Sequence, residues 1–383
     1  MQRRQFLNFA PKFAAVAALP SLMSNAWAQD GVSAKAITIG CTGALTGPLG
    51  VFGKDLQIGM QAAMTRINAK GGIHGRQLQL TLQDDGYVPA RSAENISKMM
   101  ADNSVFALLS CIGTSNNAAI MPLIENGDMP YIAPLTGASS LRKPGMRNVF
   151  HVRASYTDET QRLVSKLVGM DIKQLAIVYL DNGFGKEVLG DAQKALAANN
   201  MKLIAQVALA ADGKNLSDVV AQVVAAKPTA VLLGTAGSAS TALIAALRKA
   251  SPLMPVTGLS VTLTSEGRKQ LGDAAQGLAL TSVFPNSNSG KYLVVRDYQA
   301  AMKAAGQTEF TGGALEAYIN TMVLAEGLER AGRDVSRAKL RNALAGLRNF
   351  DLGGFNIDFQ SAPYVGSKLV ELSVLGAGGR VAT

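Results

Sequence analysis

The sequence predicts an α/β protein of two doubly wound, Rossmann-like lobes joined by three hinge crossings. Three observations carry that prediction. From residue 36, short apolar β runs alternate with amphipathic helices. The alternation restarts at Thr157 with similar spacing. Of 383 residues, 48% are hydrophobic, 17% charged and only 5% aromatic. That is a globular composition, long enough for two cores, and it favours close-packed helices on sheets over a sandwich. Strand–helix alternation of this length implies right-handed crossovers and a parallel sheet.

In the first unit, Ile37 to Gly40 reads as a buried strand. A helix over 53–70 places Leu56, Met60, Ala63, Met64 and Ile67 on one face and closes at Gly71-Gly72. Residues 77–82 alternate as a strand, and Pro89 opens the next helix where a missing N–H costs nothing. A strand at 105–110, a helix at 115–125 and a strand at 129–133 follow. The second unit has a helix to Met170 and strands at 175–179, 202–207, 230–233 and 256–259. Helices begin at Lys186, Ser217 and Ala239. After a strand at 278–283 come helices at 291–305, 313–331 and 336–347, then strands at 355–359 and 369–375. This last region is too small for a third domain and is expected to complete the first two. Crossings are expected near 153–156, 282–286 and 358–363. The predicted division is 29–153 plus 285–358 for lobe 1 and 154–284 plus 359–383 for lobe 2.

Residues 1–28 read as a cleaved export signal. Arg3-Arg4 precede an apolar stretch at 13–19 and an Ala26-Trp27-Ala28 end. The string Arg3-Arg4-Gln5-Phe6-Leu7 is similar to the twin-arginine motif. No Cys follows for lipid attachment, and no later stretch approaches about 18 apolar residues. A free periplasmic product is expected. The net charge is +10, and the signal's Arg3, Arg4 and Lys12 account for three of those charges. The remaining positive field suits steering of an anionic ligand. Lys and Arg are dispersed, which argues against nucleic-acid binding.

The chain resembles the type I periplasmic binding proteins of ABC importers, in the leucine/isoleucine/valine-binding branch. The strings that carry the resemblance run from Ile39-Gly40 through Thr46-Gly47-Pro48-Leu49, then Ile67 to Gly75, then Asp84-Asp85. Pro130 to Pro134 and Asn182-Gly183-Phe184-Gly185 continue it. The resemblance implies two lobes, three crossings and no chemistry on the guest. It also implies a monomer that delivers a small-molecule ligand to a membrane permease driven by separate ATPase subunits.

In open α/β sheets, ligands sit beyond the carboxyl ends of strands where the strand order reverses. Gly113, Thr114 and Ser115 lie at such a place and lead into a helix. Free N–H groups and hydroxyls there suit an anion; the alternative is that Thr114 or Ser115 only caps the helix. The resemblance implies that the hydroxyl residue at Thr114 binds a ligand carboxylate. It implies backbone and hydroxyl contacts at Leu135, Thr136 and Gly137, with the family's threonine falling at Gly137. Aromatic walls fall on Phe52 and Phe184, where the family has tyrosines.

Two departures bear on the ligand. The second-lobe acid that holds an amino acid's ammonium falls on Ser260, and a further tyrosine position falls on Ala236. A buried ammonium without a counter-charge is costly. Either another acid enters the cleft, with Asp181 nearest by loop and Glu266 the other candidate, or the ligand is a carboxylate without an ammonium. The second reading is preferred.

Cys41 and Cys111 end the first and third strands, neighbours in a 2-1-3 order, so a disulfide and two packed thiols are both open readings. His74 and His151 are isolated and expected in surface or loop positions, so no metal is expected. No Walker loop, C-x-x-C, H-E-x-x-H or G-x-S-x-G is present. The glycines at 40, 43 and 47 do not form G-x-G-x-x-G, which weighs against a dinucleotide-dependent enzyme, and no cofactor is expected. A soluble sensor feeding a receptor is the second alternative.

Overall fold

Strand β1 (Ala36–Gly43) lies second from one edge of the first of two six-stranded sheets, between the edge strand β2 (Gln77–Asp84) and β3 (Ala107–Leu109). The computed structural model describes residues 30–379. The export signal read at 1–28, with its twin-arginine motif and Trp27, lies outside the described residues.

Beyond β3 the first sheet adds β4 (Tyr131–Ile132), β5 (Val149–His151) and β13 (Tyr364–Val365), all parallel. Helices α1 (Gly50–Ala69), α2 (Pro89–Ala101) and α3 (Thr114–Glu125) form its crossovers. From the far end of the chain come α9 (Leu293–Ala304), α10 (Gly312–Ala331) and α11 (Arg337–Ala345). Helix α10 packs along α1. A Cβ at Gly59 would stand 2.1 Å from the Ala314 carbonyl oxygen, so only glycine permits that approach.

The second sheet has the order β14-β10-β9-β8-β6-β7. Its strands are β6 (Leu175–Leu180), β7 (Leu203–Leu209), β8 (Ala230–Gly234), β9 (Val256–Gly258), β10 (Ala279–Ser282) and β14 (Glu371–Val374). Only β14 is antiparallel to its neighbour. Helices α4 (Tyr156–Gly169), α5 (Gly183–Ala197), α6 (Leu216–Ala225), α7 (Gly237–Ala250) and α8 (Ser265–Leu271) belong with this sheet. Ser155 and Asp158 form a reciprocal capping box that starts α4 directly after the first crossing. Strands β11 (Phe350–Asp351) and β12 (Asn356–Ile357) pair as a separate hairpin.

Three differences from the sequence reading have physical causes. Tyr364-Val365 pairs with Phe150-His151 in the first sheet, so residues 359–365 do not pass to the second lobe. The third crossing therefore falls after Val365, not at 358–363. Stacking of Tyr364 on Phe150, with ring centroids 4.7 Å apart, anchors this short strand. Strands β3 and β4 start later than read, and both end sooner because Ser110 and Ala133 adopt left-handed backbone, with φ of 53° and 51°. Each turns the chain out of the sheet toward the inter-lobe cleft. His151 is buried within β5, where burial and then Arg142 hold its pKa well below the ordinary value.

Candidate functional site

The carboxyl ends of both sheets face each other across a cleft, and the lobes are closed on one another. The Gly183 N–H donates to Ser115 Oγ at 3.2 Å, and the Ser140 N–H donates to Glu187 Oε1 at 3.0 Å. Lys269 meets Glu309 at 2.6 Å at the cleft mouth. A Cβ at Gly237, at the start of α7, would stand 2.5 Å from the Pro48 carbonyl oxygen. Backbone therefore packs against backbone along that seam.

Within the seam of the closed lobes lies a narrow cavity. Leu49, Phe52, Tyr87, Ile112, Gly113, Thr114 and Leu135 line it from the first lobe; Tyr156, Phe184, Ala236, Gly237, Val261 and Thr264 line it from the second. Apolar walls with a few polar points are the usual character of a small-molecule site. Tyr156 meets Phe184 edge-on with ring centroids 5.2 Å apart.

The polar end is the start of α3. Gly113 takes φ 97°, and a Cβ there would strike the Tyr87 ring at 2.3 Å. Both facts require glycine. No side chain caps this helix. Among the described residues, the amides of Thr114, Ser115 and Asn116 donate to no carbonyl or side chain. Free amides and the helix dipole together favour an anion. The loop is held from behind: Asn117 Nδ2 donates to the carbonyls of Cys111 and Gly113, at 2.9 and 2.8 Å. Tyr131 Oη donates to Asn117 Oδ1. Asp85 accepts from Thr42, Ser92 and the Tyr87 N–H, which fixes the Tyr87 wall.

The residues singled out in the sequence fall into three groups. Gly113, Thr114, Leu135, Phe52, Phe184 and Ala236 all line the cavity. Ser115, Thr136 and Gly137 stand beside it in supporting positions. Ser115 bridges to Gly183, while Thr136 Oγ1 bonds Thr114 Oγ1 at 2.8 Å and accepts from the Ala138 N–H. Gly137 lies behind Tyr156, whose ring and amide fill the space a side chain would need. Leu135 contributes its side chain only: its N–H donates to Cys111 and its carbonyl accepts from Gly113.

Asp181 and Ser260 require correction. Asp181 does not enter the cleft; it pairs with Lys186 at 2.8 Å on the surface, with its side chain 57% exposed. Ser260 faces a second, larger chamber and belongs to a charge network absent from the sequence reading. Arg153, at the first crossing, reaches Glu159 of α4 at 3.3 Å and Glu316 of α10 at 3.2 Å. It donates to Ser260 Oγ at 2.6 Å. Glu159 also accepts from the Ser260 N–H at 2.8 Å and from Thr281 Oγ1. An acid thus lies directly behind Ser260, but it is saturated. Burial opposes the Arg153 charge; Glu316 and Glu159 outweigh it and hold the Arg153 pKa above its ordinary value. Burial raises the Glu316 pKa, against the pull of Arg153.

The larger chamber lies on the hinge side and is partly open to solvent. Phe52 and Thr264 line both spaces, so the two adjoin. Asp55, Arg268, Glu316 and Ser260 are among its polar walls. Burial pushes the Asp55 carboxyl up to about 6, against a hydrogen bond from Thr311. Glu266 stands near the cleft mouth, beside Asp55 and Glu309.

With that geometry in view, comparison with known proteins is decisive. A family model described as "Periplasmic binding protein" matches residues 36–363. The chain belongs to this family. Its members bind solutes and are not enzymes. A Leu/Ile/Val-binding protein, BraC3, from Rhizobium johnstonii is 28% identical over 303 residues, covering 77% of this chain and 80% of the relative. A substrate-binding periplasmic protein from Ralstonia solanacearum superposes with a TM-score of 0.85 at 28% identity, over 90% of this chain and 99% of that one. An extracellular ligand-binding receptor from Verminephrobacter eiseniae gives 0.83 at 30% identity, over 91% and 100%.

Among the described residues, no group of three or more His, Cys, Asp or Glu side chains is placed to hold a metal, and no helix is long and apolar enough to cross a membrane. Cys41, in β1, and Cys111, in the loop two residues beyond β3, are buried free thiols.

Proposed function

We propose that this protein captures a small carboxylate with an apolar body in the periplasm and delivers it to the permease of an ABC importer. The observation that carries the reading is the uncapped start of α3 opening into an otherwise apolar cavity. The guest's carboxylate accepts from the Thr114 and Ser115 amides and from the Thr114 hydroxyl. Its body lies between Phe52, Leu135, Tyr156 and Phe184. The guest docks on the first lobe, and hinge closure then brings Phe184, Ala236 and Val261 over it. Closure excludes water and strengthens the polar contacts.

Export and periplasmic location fit the family and the leader-like start of the sequence. The Rhizobium relative is a Leu/Ile/Val-binding protein, which makes a branched-chain amino acid the second reading. The state of the nearest acid favours the first. Glu159 is already committed to Arg153, Ser260 and Thr281, so an incoming ammonium would have to displace a buried ion pair.

A thermal-shift screen separates the two. Each branched-chain amino acid is run against its matched carboxylic acid lacking the amine, and against its amide. The acids should raise the melting temperature and the amides should not. A larger shift with the amino acids would overturn the carboxylate reading.

A further inference from the structure

Arg268 stands out because nothing answers its charge. It projects from α8 of the second lobe into the larger chamber, and its Nε is buried without a hydrogen-bond partner. Among the described residues its guanidinium makes no ion pair and no hydrogen bond. Burial depresses its pKa, and no carboxylate lies close enough to restore it. Arg153 also has an unpartnered Nε, but its two terminal nitrogens are answered by Glu316, Glu159 and Ser260, and Arg248 bonds carbonyls through all three nitrogens. A half-buried cation left without a partner is an exception in folded proteins and calls for an explanation.

The acids that line the same chamber do not supply one. Glu316 is held by Arg153. Asp55 lies on the first-lobe side, where burial favours its uncharged form. Glu371 lies exposed on the edge strand β14.

The chamber adjoins the ligand cavity at Phe52 and Thr264. A guest gripped at α3 and longer than the narrow cavity must extend past those two residues, and the chamber beyond them contains Arg268. We infer that the guest carries a second carboxylate at its far end and that Arg268 recognises it, so the preferred class is a dicarboxylate with an apolar spacer. This rests on the carboxylate reading of the α3 end and extends it. Charge-assisted bonds to guanidinium are strong where water is excluded. The net positive charge that remains outside residues 1–28 suits a dianionic guest.

The test is calorimetric titration of the wild-type protein with straight-chain diacids from succinate to sebacate, each beside its monoacid of equal length. The best diacid should bind at least about tenfold tighter than its monoacid. Arg268→Gln should reduce that advantage to below about threefold while leaving monoacid affinity unchanged; Arg268→Lys should retain part of it. Equal affinity of diacids and monoacids for the wild type would overturn the inference without needing a variant. An advantage that survives Arg268→Gln would also overturn it. If monoacids bind and lose affinity in Thr114→Ala/Ser115→Ala while diacids gain nothing, only the role of Arg268 falls. If neither class binds, the carboxylate reading falls with it.

Discussion

On the first lobe, the surface facing the guest ends in hydroxyls and open amides at Thr114 and Ser115. On the second, the facing surface is Tyr156, Phe184, Ala236, Gly237, Val261 and Thr264, with no charge among them. The second lobe's charged partner for the cleft, Glu159, is drawn back into the Arg153 network at the hinge. Within this cavity the open amides belong to the first lobe and the apolar cover to the second; Arg268, the second lobe's unanswered cation, stands outside it in the adjoining chamber. A protein built this way can change its guest's size by altering the second lobe without touching the anion grip.

Giving the second lobe a charge breaks the contrast most severely. Ala236 is the N-cap of α7, and no side chain caps that helix. In Ala236→Asp the new carboxylate can cap α7, so the melting temperature should hold or rise slightly. It also faces the guest's carboxylate, and like charges so placed cost several kcal/mol. Affinity for a monocarboxylate should fall about a hundredfold, measured by calorimetry. An undiminished affinity would show that the guest's charge does not lie in this cavity.

Removing the first-lobe hydroxyls is the next largest effect. Thr114→Ala with Ser115→Ala should weaken carboxylate binding at least about tenfold, through loss of the Thr114 hydroxyl bond and of the Ser115–Gly183 contact between the closed lobes. The melting temperature of the free protein should stay nearly constant, because the α3 amides and the Asn117 brace remain. Unchanged affinity would remove the two hydroxyls from the site.

The Asp55 carboxyl gives a smaller, pH-dependent effect. Its pKa in the fold is about 6 against an ordinary 3.8, raised by burial. The fold therefore favours the protonated form. That stabilisation is complete below the ordinary value and fades as the pH rises through the folded one. Between about pH 7 and pH 4, the wild type should gain about 2–4 °C in melting temperature relative to Asp55→Asn. A constant difference between the two would count against a buried carboxyl at this position.

The smallest effect concerns the latch between Lys269 and Glu309, which is largely exposed. Lys269→Ala should cost less than about threefold in affinity, and less still at high salt. A larger loss would mean that the cleft mouth contributes to recognition as well as to closure.

Much of the architecture was legible from period alone. The buried strands are continuous apolar runs, the helices carry one apolar face, and the loop at 113–115 stands out as small and polar directly before a helix. What escaped was information carried by single residues or by distant partners. Nothing in the local sequence of Ser110 or Ala133 announces a left-handed backbone at a non-glycine residue. Tyr364-Val365 is too short to show a period, and its place is set by Phe150, more than two hundred positions earlier. Arg153, Glu159 and Glu316 look like three ordinary surface charges until the fold brings them together. Asp181 misled for the opposite reason. Its loop does approach the cleft, but its carboxylate turns away to a lysine five residues on, a choice decided by side-chain direction.

The meeting of Gly237 with the Pro48 carbonyl has a practical consequence. One added carbon there would work as a doorstop, propping the lobes ajar while the α3 grip stayed intact. Such a variant would still touch its cargo yet never present the shut form to a transporter. It would offer a way to ask whether a permease senses the occupant or only the posture of its carrier.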